Sequence, residues 1–109
     1  MSTEIARVVA DSADEAGLHA SVPALLLELQ SLMGAVTASV TTATERGRRP
    51  FRPGPDWPAR LGELAYAVYL LADQTGVDLD QAVRGRAGQL NRVSRTEPGE
   101  RANWPFGEQ

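Results

Sequence analysis

A proline-rich break between two long apolar segments constrains this chain more than any other feature. The break, RGRRPFRPGPDWP at residues 46–58, contains four prolines and two glycines, which do not continue a helix. On both sides of it, apolar residues recur with helical spacing, and no stretch shows the alternation of a half-buried strand. The sequence therefore predicts an all-α fold in which a loop separates the two most apolar helices.

Start and stop residues divide the chain into four predicted helices. Ser21, Asp56 and Asp78 are suitable N-caps for the second, third and fourth helices, because their side chains can accept hydrogen bonds from a first turn. The predicted segments cover about 2–16, 22–44, 57–75 and 79–94, and Gly17, Gly47 and Gly76 follow the first three. The first segment is short and weakly apolar, so we expect it to pack peripherally.

The third predicted helix is apolar on two sides. One face carries Leu61, Leu64, Ala65, Val68 and Ala72, and a second carries Tyr66, Ala67 and Leu70 with Glu63 at its end. A helix that is apolar on both sides is buried on both sides, and a 109-residue chain has little else to cover the second face. We therefore expect an antiparallel four-helix bundle over residues 1–95, with a tail at 96–109, that forms a homodimer or a higher homo-oligomer.

Composition excludes several classes of protein. The chain has no cysteine, which excludes a disulfide-stapled scaffold and a catalytic thiol. Its 11 basic residues are all arginine and face 14 acidic ones, and the net charge of -3 argues against a dedicated nucleic-acid binder. No uninterrupted apolar run reaches the roughly 18 residues of a membrane span, and the acidic N-terminus does not resemble a signal peptide. We expect a cytoplasmic protein with no membrane partner.

The single histidine offers little for metal chemistry. His19 has no second histidine and no cysteine with which to build a zinc site. It lies just before the second predicted helix, where we interpret it as a surface or capping residue. Carboxylates on helices are the remaining candidates for a site, because acids on facing helices can supply the oxygen ligands that Mg²⁺ prefers. Glu28 borders the apolar stripe of the second helix, and Glu63 lies on the second face of the third.

Two segments of the chain resemble a known family. Residues 60–86, RLGELAYAVYLLADQTGVDLDQAVRGR, resemble the second half of the MazG-like nucleotide pyrophosphohydrolases, which belong to the all-α NTP pyrophosphatase superfamily. The most specific part is YLLADQTGVDLDQAV, in which an apolar helix ends in Leu-Ala-Asp and a Gly-Val-Asp-Leu turn opens the next helix. Residues 25–36, LLLELQSLMGAV, resemble the first family motif. The resemblance covers residues 22–95.

The resemblance implies a function and a set of site residues. Family members are α-helical dimers or tetramers that use Mg²⁺, held by four motif acids, to hydrolyse a nucleoside triphosphate to a monophosphate and pyrophosphate. Glu28 matches the first acid of the first motif, and Glu63 stands where an Asp is expected, so these two are the implied metal ligands. On the last helix, Arg86 falls at a basic position that often contacts phosphates. Asn91 lies one residue beyond the position of an Asn with the same role.

Two of the four implied metal positions depart from the family. Ser31 replaces the second acid of the first motif, and Arg60 stands where a Glu is expected. With two charged ligands lost, the sequence predicts weaker Mg²⁺ binding. Two functions therefore stay open. One is a pyrophosphohydrolase with an altered Mg²⁺ site, and the other is a catalytically silent homologue that binds a nucleotide or a protein partner.

Arg60 itself has two interpretations. It lies three residues before Glu63 on the same helix, a spacing at which opposite charges can pair. In the first interpretation its guanidinium replaces the metal ion and ties Glu28 and Glu63 into a structural network. In the second it points to solvent and the metal site is empty.

The arginines of the proline-rich loop suggest a third function. Arg46, Arg48, Arg49 and Arg52 lie within seven residues, with Phe51 among them, and could contact the phosphates of a nucleic acid. The acidic total makes a solvated loop the better interpretation.

Overall fold

A computed structural model of the chain describes residues 4–96. These residues form four helices and no strand: α1 (Glu4–Ala16), α2 (Val22–Ala43), α3 (Trp57–Thr75) and α4 (Leu79–Thr96). The all-α prediction is therefore confirmed, whereas the bundle arrangement and the homo-oligomer stay predictions. The predicted tail, apart from its first residue, lies outside the described residues, as does the predicted start of the first helix.

The chain divides into two compact units. The first extends to Val77 and contains α1, α2 and α3. The second begins at Asp78 and contains α4, which is described by itself below.

Most of the predicted helix ends are confirmed. Ser21 is the N-cap of α2, where its hydroxyl accepts a hydrogen bond from the Ala24 backbone N–H at 3.3 Å. Asp78 acts in the same way for α4, where its carboxylate accepts from the Gln81 N–H at 3.1 Å. Gly17 and Gly76 end α1 and α3 with φ of 66° and 70°, left-handed values at which a glycine carries no steric cost.

The predicted cap of α3 is wrong in its mechanism. Asp56 is the residue before α3, but its backbone is helical and its side chain makes no capping hydrogen bond. A side-chain cap needs an extended backbone at this position so that the carboxylate can turn back to the first N–H groups. The backbone carbonyl of Asp56 instead accepts from the Arg60 N–H at 3.1 Å.

The core of the first unit lies where α1 and α2 both pack on α3. It consists of Val9 and Ala13 from α1, Leu25 from α2 and Leu70 from α3. α1 packs through one face only, because Val9 and Ala13 are its two buried residues and most of its other residues are exposed. Ala13 is fully buried, because a methyl side chain lets the α1 backbone come close to its neighbour.

A hydrogen bond fixes the position of α1 on α3. The Ser12 hydroxyl donates to the Val9 carbonyl at 3.0 Å, and its oxygen lies 2.7 Å from the Tyr66 hydroxyl. Because the single Ser12 proton is already used, Tyr66 is the donor of the second bond.

Most of the apolar surface of α2 is exposed. Leu25 is buried, but Leu26, Leu27 and Met33 are 46%, 68% and 49% exposed. With its 22 residues, α2 is also long and apolar enough, by length and composition, to cross a membrane. This property was not predicted from the sequence, because Glu28 and several polar residues interrupt its apolar run. Core helices of soluble proteins and signal sequences pass the same test, so the property assigns no location.

Candidate carboxylate site

A cavity of about 370 Å³ lies between α2 and α3 in the first unit. Its walls are formed by Leu18, Leu25, Glu28, Leu32, Gly62, Glu63, Tyr66, Ala67 and Leu70. Two of these residues, Glu28 and Glu63, are the metal ligands implied by the sequence. Mainly apolar walls with a few polar groups are typical of small-molecule sites.

Helical spacing explains why both carboxylates reach this cavity. Glu28 lies three residues after the buried Leu25 and four before Leu32, so all three share one side of α2. Glu63 lies three residues before Tyr66 and seven before Leu70, and it shares a side of α3 with them. Each acid is exposed, at the edge of a stripe whose centre is buried. The cavity therefore has an apolar base and a carboxylate from each helix.

Arg60 pairs with Glu63, as its spacing predicts. The Nη1 atom of Arg60 donates to Oε1 of Glu63 at 3.3 Å, and the two side chains are 40% and 48% exposed. The interpretation in which Arg60 simply points to solvent is therefore wrong. The proposed network is only half formed, because within residues 4–96 no ion pair includes Glu28.

Glu28 and Glu63 are the two acidic side chains among the residues that line the cavity. No group of three or more His, Cys, Asp or Glu side chains within the described part of the chain is arranged to hold a metal. Ser31 is exposed one turn after Glu28 and adds no charge. Mg²⁺, however, is often held by one or two carboxylates, with water and substrate phosphates as the remaining ligands. Glu28 and Glu63 could serve as two such carboxylates, and the guanidinium of Arg60 already pairs with Glu63.

The implied phosphate contacts lie on α4, in the second unit. Arg86 and Asn91 are both exposed, and the Arg86 Nη1 atom donates to the Gln89 side-chain oxygen at 3.5 Å. Residues five apart are separated by about 140° around a helix. Arg86 and Asn91 therefore do not share a face of α4, which matches the one-residue offset of Asn91 from the family position.

The proline-rich loop contains an aromatic pair that the sequence analysis did not predict. The rings of Phe51 and Trp57 meet edge to face, with their centroids 5.0 Å apart. They line a second cavity of about 440 Å³, together with small residues of α2 and the side chains of Arg52 and Arg60. The loop begins at the buried Thr44, whose hydroxyl donates to the Val40 carbonyl at 2.8 Å.

His19 has specific partners that sequence reasoning missed. Its Nδ1 atom contacts the side-chain oxygen of Gln74 in α3, and its Nε2 atom contacts the carboxylate of Asp14 in α1. The hydrogen bond to Gln74, followed by that to Asp14, raises the pKa of His19 above its usual 6.5. Gln74 is 55 residues away along the chain, and no local pattern predicts such a contact.

Comparison with known proteins does not place the chain in a family. No family model, no curated protein and no solved structure matches it.

Proposed function

We propose that this chain is a MazG-like nucleotide pyrophosphohydrolase-related protein that binds a nucleoside triphosphate at the cavity between α2 and α3. One observation carries the proposal. Glu28 and Glu63, 35 positions apart in the sequence, line the same cavity from two different helices. They stand at two of the four positions at which the sequence resemblance expects acids for a metal–triphosphate complex.

The chemistry of the cavity suits a triphosphate that arrives with Mg²⁺. The carboxylates of Glu28 and Glu63 are the groups that would hold the ion, which when bound neutralises phosphate charge and polarises the phosphoryl oxygens. Leu32 and Leu70 supply an apolar part of the cavity wall. Arg86, in the second unit, is a phosphate contact that the sequence resemblance alone implies.

We propose further that the protein acts as a homodimer or a higher homo-oligomer in the cytoplasm. Support comes from the apolar side chains left exposed on α2 and α3, including Leu26, Leu27 and Leu61. A second copy of the chain would cover these groups, and removal of apolar surface from water favours such an association.

The alternative is a catalytically silent homologue that binds a nucleotide or a protein partner. The ion pair between Arg60 and Glu63 supports this alternative, because the guanidinium is already paired with one of the two carboxylates that a metal ion would need. Ser31 supports it as well, since it adds no negative charge beside Glu28.

A pyrophosphate-release assay across canonical and modified nucleoside triphosphates, with Mg²⁺ and with Mn²⁺, tests the proposal. We expect release that is lost in Glu28→Gln, a change that removes the charge and keeps the shape of the side chain. Glu15→Gln is the matched control, because Glu15 is exposed on α1 and does not line the cavity.

Binding measurements by calorimetry on the same panel separate the two functions. Nucleotide binding without pyrophosphate release would favour the silent homologue. If no nucleotide binds and none is hydrolysed, a nucleotide function is wrong. Equal pyrophosphate release by Glu28→Gln and the wild type would show that the Glu28 carboxylate of this cavity takes no part in hydrolysis.

A further inference from the structure

His19 lies in a chain of three hydrogen bonds that joins α1, the connection at residues 17–21 and the last turn of α3. The bonds link the Asp14 carboxylate to His19 Nε2, His19 Nδ1 to the Gln74 side-chain oxygen, and the Gln74 side-chain nitrogen to the Ala20 carbonyl. Each bond requires one hydrogen atom between its two heavy atoms.

The acceptors at the two ends fix the direction of every bond. An ionised carboxylate and a backbone carbonyl can only accept, so the hydrogens must come from His19 and Gln74. The Gln74 nitrogen donates to the Ala20 carbonyl at 2.9 Å, which turns the Gln74 oxygen toward His19. Both ring nitrogens of His19 must therefore donate, and only the doubly protonated imidazolium can do so.

We propose that His19 is a pH-controlled latch that holds the connection at residues 17–21 on the C-terminal end of α3. The protonated ring donates two of the three hydrogens, and the Gln74 amide donates the third. The neutral ring has one hydrogen fewer, so one of the three bonds is lost when His19 releases its proton.

Rotation of the Gln74 amide cannot rescue the neutral state. If the amide turned to donate to His19, its oxygen would face the Ala20 carbonyl, and two acceptors would oppose each other. Deprotonation therefore removes one bond of the chain. The bond lost is either one that His19 makes, to Asp14 or to Gln74, or the one from Gln74 in α3 to Ala20 in the connection. Asp14 on α1 and Asp73 on α3 are the charged groups that act on His19, and both favour the imidazolium.

The latch lies beside the carboxylate cavity. Leu18, the residue before His19, lines that cavity, and the Leu18 N–H donates to the Ala13 carbonyl at 2.9 Å. Loss of a latch bond thus weakens the attachment of the segment that carries Leu18, one of the residues that line the cavity. This inference does not depend on what the cavity binds.

Two NMR measurements on the full chain test the latch. The first is the pH titration of the ring protons of His19, which are unambiguous because the sequence has one histidine. We expect a midpoint above 6.5 in the wild type and a lower one in Gln74→Met, which keeps the length of the side chain and removes both polar atoms. Glu15→Gln is the control, because it removes a neighbouring exposed charge outside the latch and should leave the midpoint near that of the wild type.

The second measurement is the hydrogen-exchange protection of the Leu18 amide on both sides of that midpoint, corrected for intrinsic exchange. We expect protection to fall about fivefold as His19 deprotonates, the factor that corresponds to one net hydrogen bond. In Gln74→Met the protection should no longer change with pH. A wild-type midpoint at or below 6.5, or equal protection on both sides of it, would overturn the latch.

Discussion

Replacement of Arg60 by glutamate tests the carboxylate site most directly. The change removes the guanidinium that pairs with Glu63 and places an acid at the position where the resemblance expects one. The variant would place a third carboxylate one turn before Glu63, beside the two that line the cavity. We expect it to bind Mg²⁺ more tightly than the wild type.

The cost of this change in stability is small. The two side chains of the ion pair are 40% and 48% exposed, so its loss costs about 0.3–0.5 kcal/mol. The two acids three residues apart then repel each other by a similar amount. The sum stays below about 1 kcal/mol, so the variant remains folded and can be compared with the wild type.

The gain on adding Mg²⁺ is larger than this cost. A ligand at a free concentration 100 times its Kd stabilises the folded state by about 2.7 kcal/mol. For a domain of this size, each kcal/mol corresponds to about 4–8 °C in Tm. With a Kd of about 0.1 mM, Mg²⁺ at about 10 mM would therefore raise the Tm of Arg60→Glu by about 10 °C or more.

Thermal unfolding followed by circular dichroism, with and without Mg²⁺, measures this effect. Arg48→Glu is the control, because it makes the same change of charge at an exposed loop position away from the cavity. If Mg²⁺ raises the Tm of both variants equally, the effect is a general response to charge. If Mg²⁺ leaves Arg60→Glu no more stable than the wild type, Arg60 is not the residue that weakens metal binding at this cavity.

The other predictions concern the packing of the first unit. A double-mutant cycle of Ser12→Ala and Tyr66→Phe in urea denaturation should give a coupling of about 1 kcal/mol, and a value within about 0.3 kcal/mol of zero would contradict the bond between α1 and α3. Leu70→Ala should lower the free energy of unfolding by about 2–5 kcal/mol in the same assay, because Leu70 is 4% exposed in the core, and a loss below about 1 kcal/mol would argue against that burial. Bonds to Gln74 and Asp14 raise the pKa of His19 in the folded chain, so its contribution to stability is complete below 6.5 and is lost as the pH rises through the folded value. The difference in Tm between the wild type and His19→Ala should accordingly be larger at pH about 5.5 than at pH about 8.5, and the opposite order would be incompatible with a raised pKa.

Local signals predicted the helices well. Ser21, Gly17 and Gly76 act within a turn of their own positions, so their roles can be read from the neighbouring residues. Asp56 misled the prediction because residue type alone does not reveal whether the backbone is extended at a cap.

The parts of the candidate site that depend on spacing along one helix could be predicted from the sequence. Arg60 and Glu63 are three residues apart on one helix, and their pairing follows from that distance. The placement of Glu28 and Glu63 on one cavity follows from the apolar stripe that each borders. The contact between His19 and Gln74 was not predictable, because it depends on how α1 and α3 dock rather than on either helix alone.

The packing of α1 on α3 has a consequence for the order of folding during synthesis. α1 is made first, but Leu70, its partner in the core, follows Val9 by about 60 residues. At about 5–20 residues per second, Val9 and Ala13 wait several seconds for that partner. The pair of α2 and α3, which residues 44–56 join, closes a smaller loop than α1 and α3 do and can form before α1 docks. During synthesis the apolar side of α1 is therefore open to a chaperone until α3 has left the ribosome.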